Sequence, residues 1–171
     1  RISAISTGIG TDNIDIAINE LDALVNINFD TRTINPEKKS LNLIRLGTSG
    51  ALQTNIEVDT FLASSFGLGF DNVAHFYSDT KVIEEEMAKL YSKHAHWPKE
   101  LSSPYIVKAS ESLFSLFNDL PRGITATAPG FYGPQGRTLR LSPSIANLHE
   151  KMGSFNFNNH QITNFEMETS A

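Results

Sequence analysis

Cysteine is absent from this chain, and with it go disulfide frameworks, thiolate nucleophiles and cysteine-ligated zinc. No apolar run approaches the roughly 20 residues that cross a bilayer, so a soluble chain without a membrane partner is expected. Positive charge is also scarce. Fourteen Lys and Arg face 19 Asp and Glu, a net charge of −5. General attraction to DNA or RNA phosphates is therefore not expected, although a local basic pocket remains open. The histidines do not form a metal set: His94 and His96 flank one residue near Pro98, and His75, His149 and His160 stand apart, so no metal is expected. A reducing, cytoplasmic setting is compatible with the missing thiols.

What is present suits a single core. Over 171 residues, 40% are hydrophobic and 19% are charged, spread along the chain, which fits one domain better than two. Arg1 leads straight into Ile2-Ser3-Ala4-Ile5-Ser6, and the chain stops at Met167-Glu168-Thr169-Ser170-Ala171. Residues 1–171 are thus expected to be one domain, an incomplete internal portion of a longer chain.

The patterning alternates. Strands are expected at Ile2–Ser6, Leu41–Leu46, Ile56–Ala63, Gly123–Ala128 and Ile162–Phe165. Ile14, Ile18, Leu21 and Val25 recur at helical spacing, with Thr11, Asp12 and Asn13 as N-cap candidates. Further helices are expected around Val82–Tyr91, Ala109–Phe117 and Ser144–Met152. Residues 26–40 and 92–108 read as irregular. Strands alternating with helices argue for an α/β sheet with crossover connections.

Three stretches carry chemistry. Arg45 interrupts the apolar run Leu43-Ile44-Arg45-Leu46, and a charge there needs a partner. It is either paired with a carboxylate or, with Gly47-Thr48-Ser49-Gly50 following, part of an anion site in which small residues allow close approach and the guanidinium offers a fork. The second stretch is Phe131-Tyr132-Gly133-Pro134-Gln135-Gly136-Arg137, a loop forced by glycine and proline after a strand, where α/β proteins place ligands. Phe131 offers a flat face, Gln135 a donor and an acceptor, and Arg137 donors only. These suit the edge of a planar heterocycle, or simply a surface loop. In the third, Glu166-Met167-Glu168, alternation puts both carboxylates on one face if the strand continues. They suit the vicinal hydroxyls of a sugar, or a strand end turning to solvent. Gly8-Ile9-Gly10 lacks the third glycine of a dinucleotide fingerprint and reads as a turn.

Taken in order, Ser6-Thr7-Gly8-Ile9-Gly10, the Asn19-Glu20-Leu21 helix, Arg45-Leu46-Gly47-Thr48-Ser49-Gly50 and Glu166-Met167-Glu168-Thr169-Ser170-Ala171 resemble the nucleoside phosphorylase-I family, most of all its uridine phosphorylases. The resemblance implies a three-layer α/β/α fold with a mixed central β-sheet. It implies phosphate binding by Arg45 and Thr48, ribose binding by Thr48, Met167 and Glu168, and base binding by Ser49, Gly50, Phe131, Gln135 and Arg137. Gln135 and Arg137 match the Gln-x-Arg pair that recognises uracil and would carry the catalytic stabilisation of the departing base. The implied reaction needs no cofactor beyond inorganic phosphate as co-substrate, and the implied assembly is a homo-oligomer, dimer or hexamer. The family's further phosphate ligands, on a glycine-rich loop and on a neighbouring subunit, have no counterpart in this chain. Asn13 stands where some relatives have a serine near an interfacial cation. Three alternatives stay open: action on another (purine) nucleoside, a nucleoside-binding relative without turnover, and a structural domain in which Arg45 is an ion pair.

Overall fold

The computed structural model describes residues 2–78 and 81–171. In chain order the elements are α1 (Thr11–Asn26), β1 (Ile27–Asn28), β2 (Thr33–Ile34), β3 (Gly50–Ala51), β4 (Ala63–Gly69), α2 (Glu85–His94), β5 (Tyr105–Lys108), α3 (Glu111–Phe114), β6 (Arg122–Thr127), α4 (Leu148–Ser154), β7 (Asn156–Phe157) and β8 (His160–Glu166). β1 and β2 form a small hairpin. The main sheet runs β3-β8-β6-β4-β5, with β7 paired to β8. β4, β6 and β8 are mutually parallel, while β3 and β5 are antiparallel to their neighbours. This mixed six-stranded sheet with flanking helices is the expected α/β class.

Two irregularities decide which side chains meet. The β4–β6 register slips between Ser64 and Phe66, and the β6–β8 register slips between Ile162 and Asn164. An extra residue in a strand reverses the faces beyond it. Ile162 and Phe165, three apart, therefore both join the core, and Asn164 and Glu166 fall opposite Thr125 and Thr127. The residues at the slips stay satisfied: Ser65 Oγ donates to the Gly123 carbonyl at 2.9 Å and Thr163 Oγ1 to that of Ile124 at 3.4 Å.

One face of the sheet is apolar. Leu68, Ile106, Ile124 and Ile162 are wholly buried there, packed with Met87 and Tyr91 of α2 and Leu148 and Met152 of α4. The other face is polar. Ser64 and Thr125 share a hydroxyl bond of 2.6 Å, Thr125 donates to Asn164 Oδ1 at 2.9 Å, and Asn164 Nδ2 donates to Ser49 Oγ at 2.8 Å.

Several expected elements move. Ile2–Ser6 and Leu41–Leu46 are not strands. A strand needs a ladder, and no described edge pairs with either run, so Ile2, Ile5, Leu43, Ile44 and Leu46 stay exposed. Residues 56–62 are irregular with a turn at Val58-Asp59, and Val58 is 91% and Phe61 77% exposed. The strand is instead Ala63–Gly69, whose serines and glycines have little intrinsic β preference and are made a strand by their place between two others. Residues 105–108, expected irregular, form edge strand β5, and residues 27–34, expected as loop, hold the hairpin. Thr11, Asp12 and Asn13 do not cap α1. Gly10 is the N-cap, and its amide is answered by Glu168 from 158 positions away.

Candidate active site on the polar face of the sheet

The polar face ends in a cluster around Arg45. Its guanidinium Nη1 lies 2.9 Å from Glu166 Oε2, and Nη2 lies 2.5 Å from Glu168 Oε2. Nη1 also donates to Thr169 Oγ1 at 3.1 Å. The Arg45 side chain is 31% exposed, against 3% for Glu166 and 9% for Glu168. Two buried carboxylates on one guanidinium leave a negative charge that backbone donors must answer. Glu166 accepts from the Thr127 hydroxyl at 2.7 Å, from the Glu168 amide at 2.9 Å and from the Thr169 amide at 3.0 Å. Glu168 Oε1 accepts from the Gly10 amide at 2.8 Å, at the N-terminal end of α1, where the helix dipole favours an anion.

The two carboxylates meet by a different route from simple alternation. β8 stops at Glu166, and Glu168 lies in the turn beyond it. The turn folds back and brings both onto Arg45.

The aromatic loop adjoins this cluster. A short 3-10 turn spans Gly133–Gln135, and Gly136 follows in a left-handed conformation. Gln135 is only 3% exposed; its Nε2 donates to the Glu166 carbonyl at 3.1 Å, and its Oε1 accepts from Arg137 Nη1. Arg137 Nη1 also donates to the Phe131 carbonyl at 2.8 Å. Its guanidinium carbon sits 3.9 Å from the centre of the Phe131 ring and 4.9 Å from that of Phe165, a cation–π arrangement that fixes the fork without using up its five N–H groups. Arg137, His149 and Phe165 line an open groove of about 770 Å³ together with Ala51, Leu52 and Thr54.

Of the residues expected in the site, Arg45 and Glu168 touch directly. Gln135 and Arg137 join them through Glu166 and Phe165. Ser49 is tied in by Asn164, and Gly50 pairs with Phe165 in β3. Thr48 is exposed, Met167 half-buried and Phe131 52% exposed. The paired reading of Arg45 therefore holds as geometry, and its partners are the residues expected to bind sugar. Thr127 and Asn164 were not among the expected site residues, and Glu166, expected only as one of a pair of carboxylates on one face, is the more buried partner of Arg45. The available signal was polar side chains inside buried strands; which face they take depends on the register slips. No group of three or more His, Asp and Glu among the described residues is arranged to hold a metal ion, and no described helix is long and apolar enough to cross a membrane.

Known proteins resemble this chain in sequence and in fold. A uridine phosphorylase of Thermococcus kodakarensis is 31% identical over 173 aligned residues, covering 99% of this chain and 50% of that protein. A nucleoside phosphorylase of Trypanosoma brucei that shows uridine phosphorylase activity superposes with a TM-score of 0.76 at 25% identity, over 96% of this chain and 63% of that one. A uridine phosphorylase of the oomycete Phytophthora capsici shares the fold, with a TM-score of 0.53 at 19% identity, over 96% of this chain and 55% of that one. The chain thus spans about half the length of the curated relative it matches. The family model of the phosphorylase superfamily matches residues 1–171, and with the mixed sheet and the Arg45 cluster in place, the chain belongs to that superfamily.

Proposed function

We propose that this chain supplies the sugar- and base-binding part, and one arm of the phosphate site, of an enzyme that cleaves uridine with inorganic phosphate to uracil and ribose 1-phosphate. The observation that carries this reading is the 2.5 Å contact between Arg45 and Glu168. The group suited to phosphate and the group suited to sugar hydroxyls touch, as they must if phosphate is to attack the anomeric carbon. When phosphate takes the Arg45 fork, with Thr48 beside it, the Glu168 carboxylate is released to accept from the ribose, next to Met167.

As the glycosidic bond breaks, negative charge develops on uracil. Arg137, its plane fixed on Phe131, donates to that charge more strongly than to neutral substrate, which is what lowers the barrier. Gln135 is the second reader of the base, and Ser49 and Gly50 line its pocket. The reading calls for no cofactor. A homo-oligomer (dimer or hexamer), a cytoplasmic location and a role in pyrimidine nucleoside salvage accompany it.

Support comes from the T. kodakarensis and T. brucei relatives, and the test is product analysis. The intact protein is incubated with uridine with and without phosphate. Uracil and ribose 1-phosphate should appear only with phosphate. Release of free ribose without phosphate would make it a hydrolase, and cleavage of inosine with uridine untouched would overturn the uracil assignment.

A further inference from the structure

A second closed polar cluster lies beside the site and takes no part in the chemistry above. Asp71, two residues past the end of β4, receives three hydrogen bonds. Its Oδ1 accepts from the Tyr105 hydroxyl at 2.6 Å and the Val73 amide at 2.8 Å, and its Oδ2 accepts from the Ser170 hydroxyl at 2.7 Å. The Tyr105 hydroxyl also lies 3.2 Å from Ser170 Oγ. Tyr105 is wholly buried and Ser170 4% exposed. Burial, and then Asp71, push the Tyr105 phenol up, so it stays a protonated donor.

The backbone is shaped to let these groups meet. On the polar face, β4 presents Gly67 and Gly69 opposite Thr125 and Thr127. A Cβ at Gly67 would come within 3.0 Å of Ser170 Cα, and one at Gly69 within 2.7 Å of Asp71 Oδ2 and into the Tyr105 ring. The bare strand is the floor on which the Thr169-Ser170 turn lies.

This turn also carries Glu168. The Ser170 amide donates to Thr127 Oγ1 at 3.0 Å, and the Thr127 hydroxyl donates to Glu166 at 2.7 Å. The turn is thus held at its near end by β8 and at its far end by Asp71. Without the far anchor the turn would keep its bonds to Glu166 and Thr127, and Glu168 its bond from the Gly10 amide, but the Ser170 side chain would keep only the Tyr105 hydroxyl.

We propose that Asp71 is a positioning residue: through Ser170, with Tyr105 behind it, it fixes the turn after β8 so that Glu166 and Glu168 converge on Arg45, and so sets how well Glu168 meets a sugar hydroxyl. The sugar part rests on the function proposed above; the anchoring of the turn does not.

The test uses the intact protein and the variants Asp71→Asn, Ser170→Ala and Tyr105→Phe, with two readouts. The first is amide hydrogen exchange without substrate. In Asp71→Asn and Ser170→Ala the Thr169 and Ser170 amides should exchange about tenfold faster, the size of one hydrogen bond to a charged group, with β4 and β6 unchanged. Tyr105→Phe keeps the Asp71–Ser170 bond and should move them less. The second is the ratio of kcat/KM for uridine to that for 2′-deoxyuridine. It should fall in Asp71→Asn and fall no further when Asp71→Asn is added to Glu168→Gln, whereas a merely structural role would lower both substrates alike.

Turn amides that do not change, exchange that rises throughout the sheet, or a ratio that holds while the turn loosens would each overturn the proposal. If the unaltered protein cleaves neither nucleoside, the uridine reading falls and the exchange result alone decides the anchor. Should Asp71→Asn fail to fold, Ser170→Ala carries both readouts.

Discussion

On β6, Ile124 and Ala126 enter a core of aliphatic and aromatic side chains, while Thr125 and Thr127 face a hydroxyl, an amide and a carboxylate. Both faces are buried, yet they are held differently. The apolar face is non-directional and gains by area removed from water. The polar face is a set of directional bonds, each of which leaves a costly orphan when its partner goes. Damage to the first should therefore appear as lost stability. Damage to the second should appear first as lost activity.

The largest separation is expected at Arg45. On the proposed function, Arg45→Ala should lower kcat/KM for uridine about a thousandfold, since it would remove the fork from the phosphate and leave two carboxylates unpaired. Steady-state kinetics on the folded fraction measures this, and a loss under about tenfold would place phosphate elsewhere. On the opposite face, Leu68→Ala should cost about 2–5 kcal/mol in urea unfolding, with turnover per folded molecule preserved. If turnover fell with stability, the two faces would not be separable.

On the same proposal, Arg137→Ala should cost about a hundredfold in kcat, as the donors to the departing base would be lost, with the phosphate KM little changed. Thr127→Val keeps the shape but takes one donor from Glu166 and the acceptor from the Ser170 amide. We expect about 1–3 kcal/mol together with partial loss of activity, placing this variant between the two classes.

The smallest effect belongs to the outer surface. A hydrogen bond from Lys89 holds the Glu85 carboxyl below its usual range. A lowered folded-state value means the stabilisation is present at neutral pH and is lost as pH falls through that value. Both side chains are largely exposed, so Lys89→Ala should change Tm least of the five, and the difference should vanish in acid.

How far the sequence could be read follows the same division. The α1 helix was legible because apolar residues recur at helical spacing, and β6 and β8 were legible in outline as short strands at Gly123–Ala128 and Ile162–Phe165. Arg45, Gln135, Arg137 and Glu168 were legible because each places a charged or amide group where a strand end or a glycine-rich loop can aim it. β4 was not legible, since Ser64, Ser65, Gly67 and Gly69 carry no strand signature of their own. Asp71 was not either: an aspartate just past an apolar run gives no hint of Tyr105, 34 positions on, or of Ser170, 99 positions on.

By itself the sequence determined the class of fold, the residue types of the site and their order along the chain, because periodicity, turn chemistry and functional groups are local properties. The tertiary structure alone decided the faces. A one-residue slip in the β6–β8 ladder put Ile162 and Phe165 on one side and Asn164 and Glu166 on the other. A turn pinned by Asp71 then carried Glu168 back onto Arg45. Pairing register and long-range hydrogen bonds are relations between distant segments, and they exist only once the chain has closed.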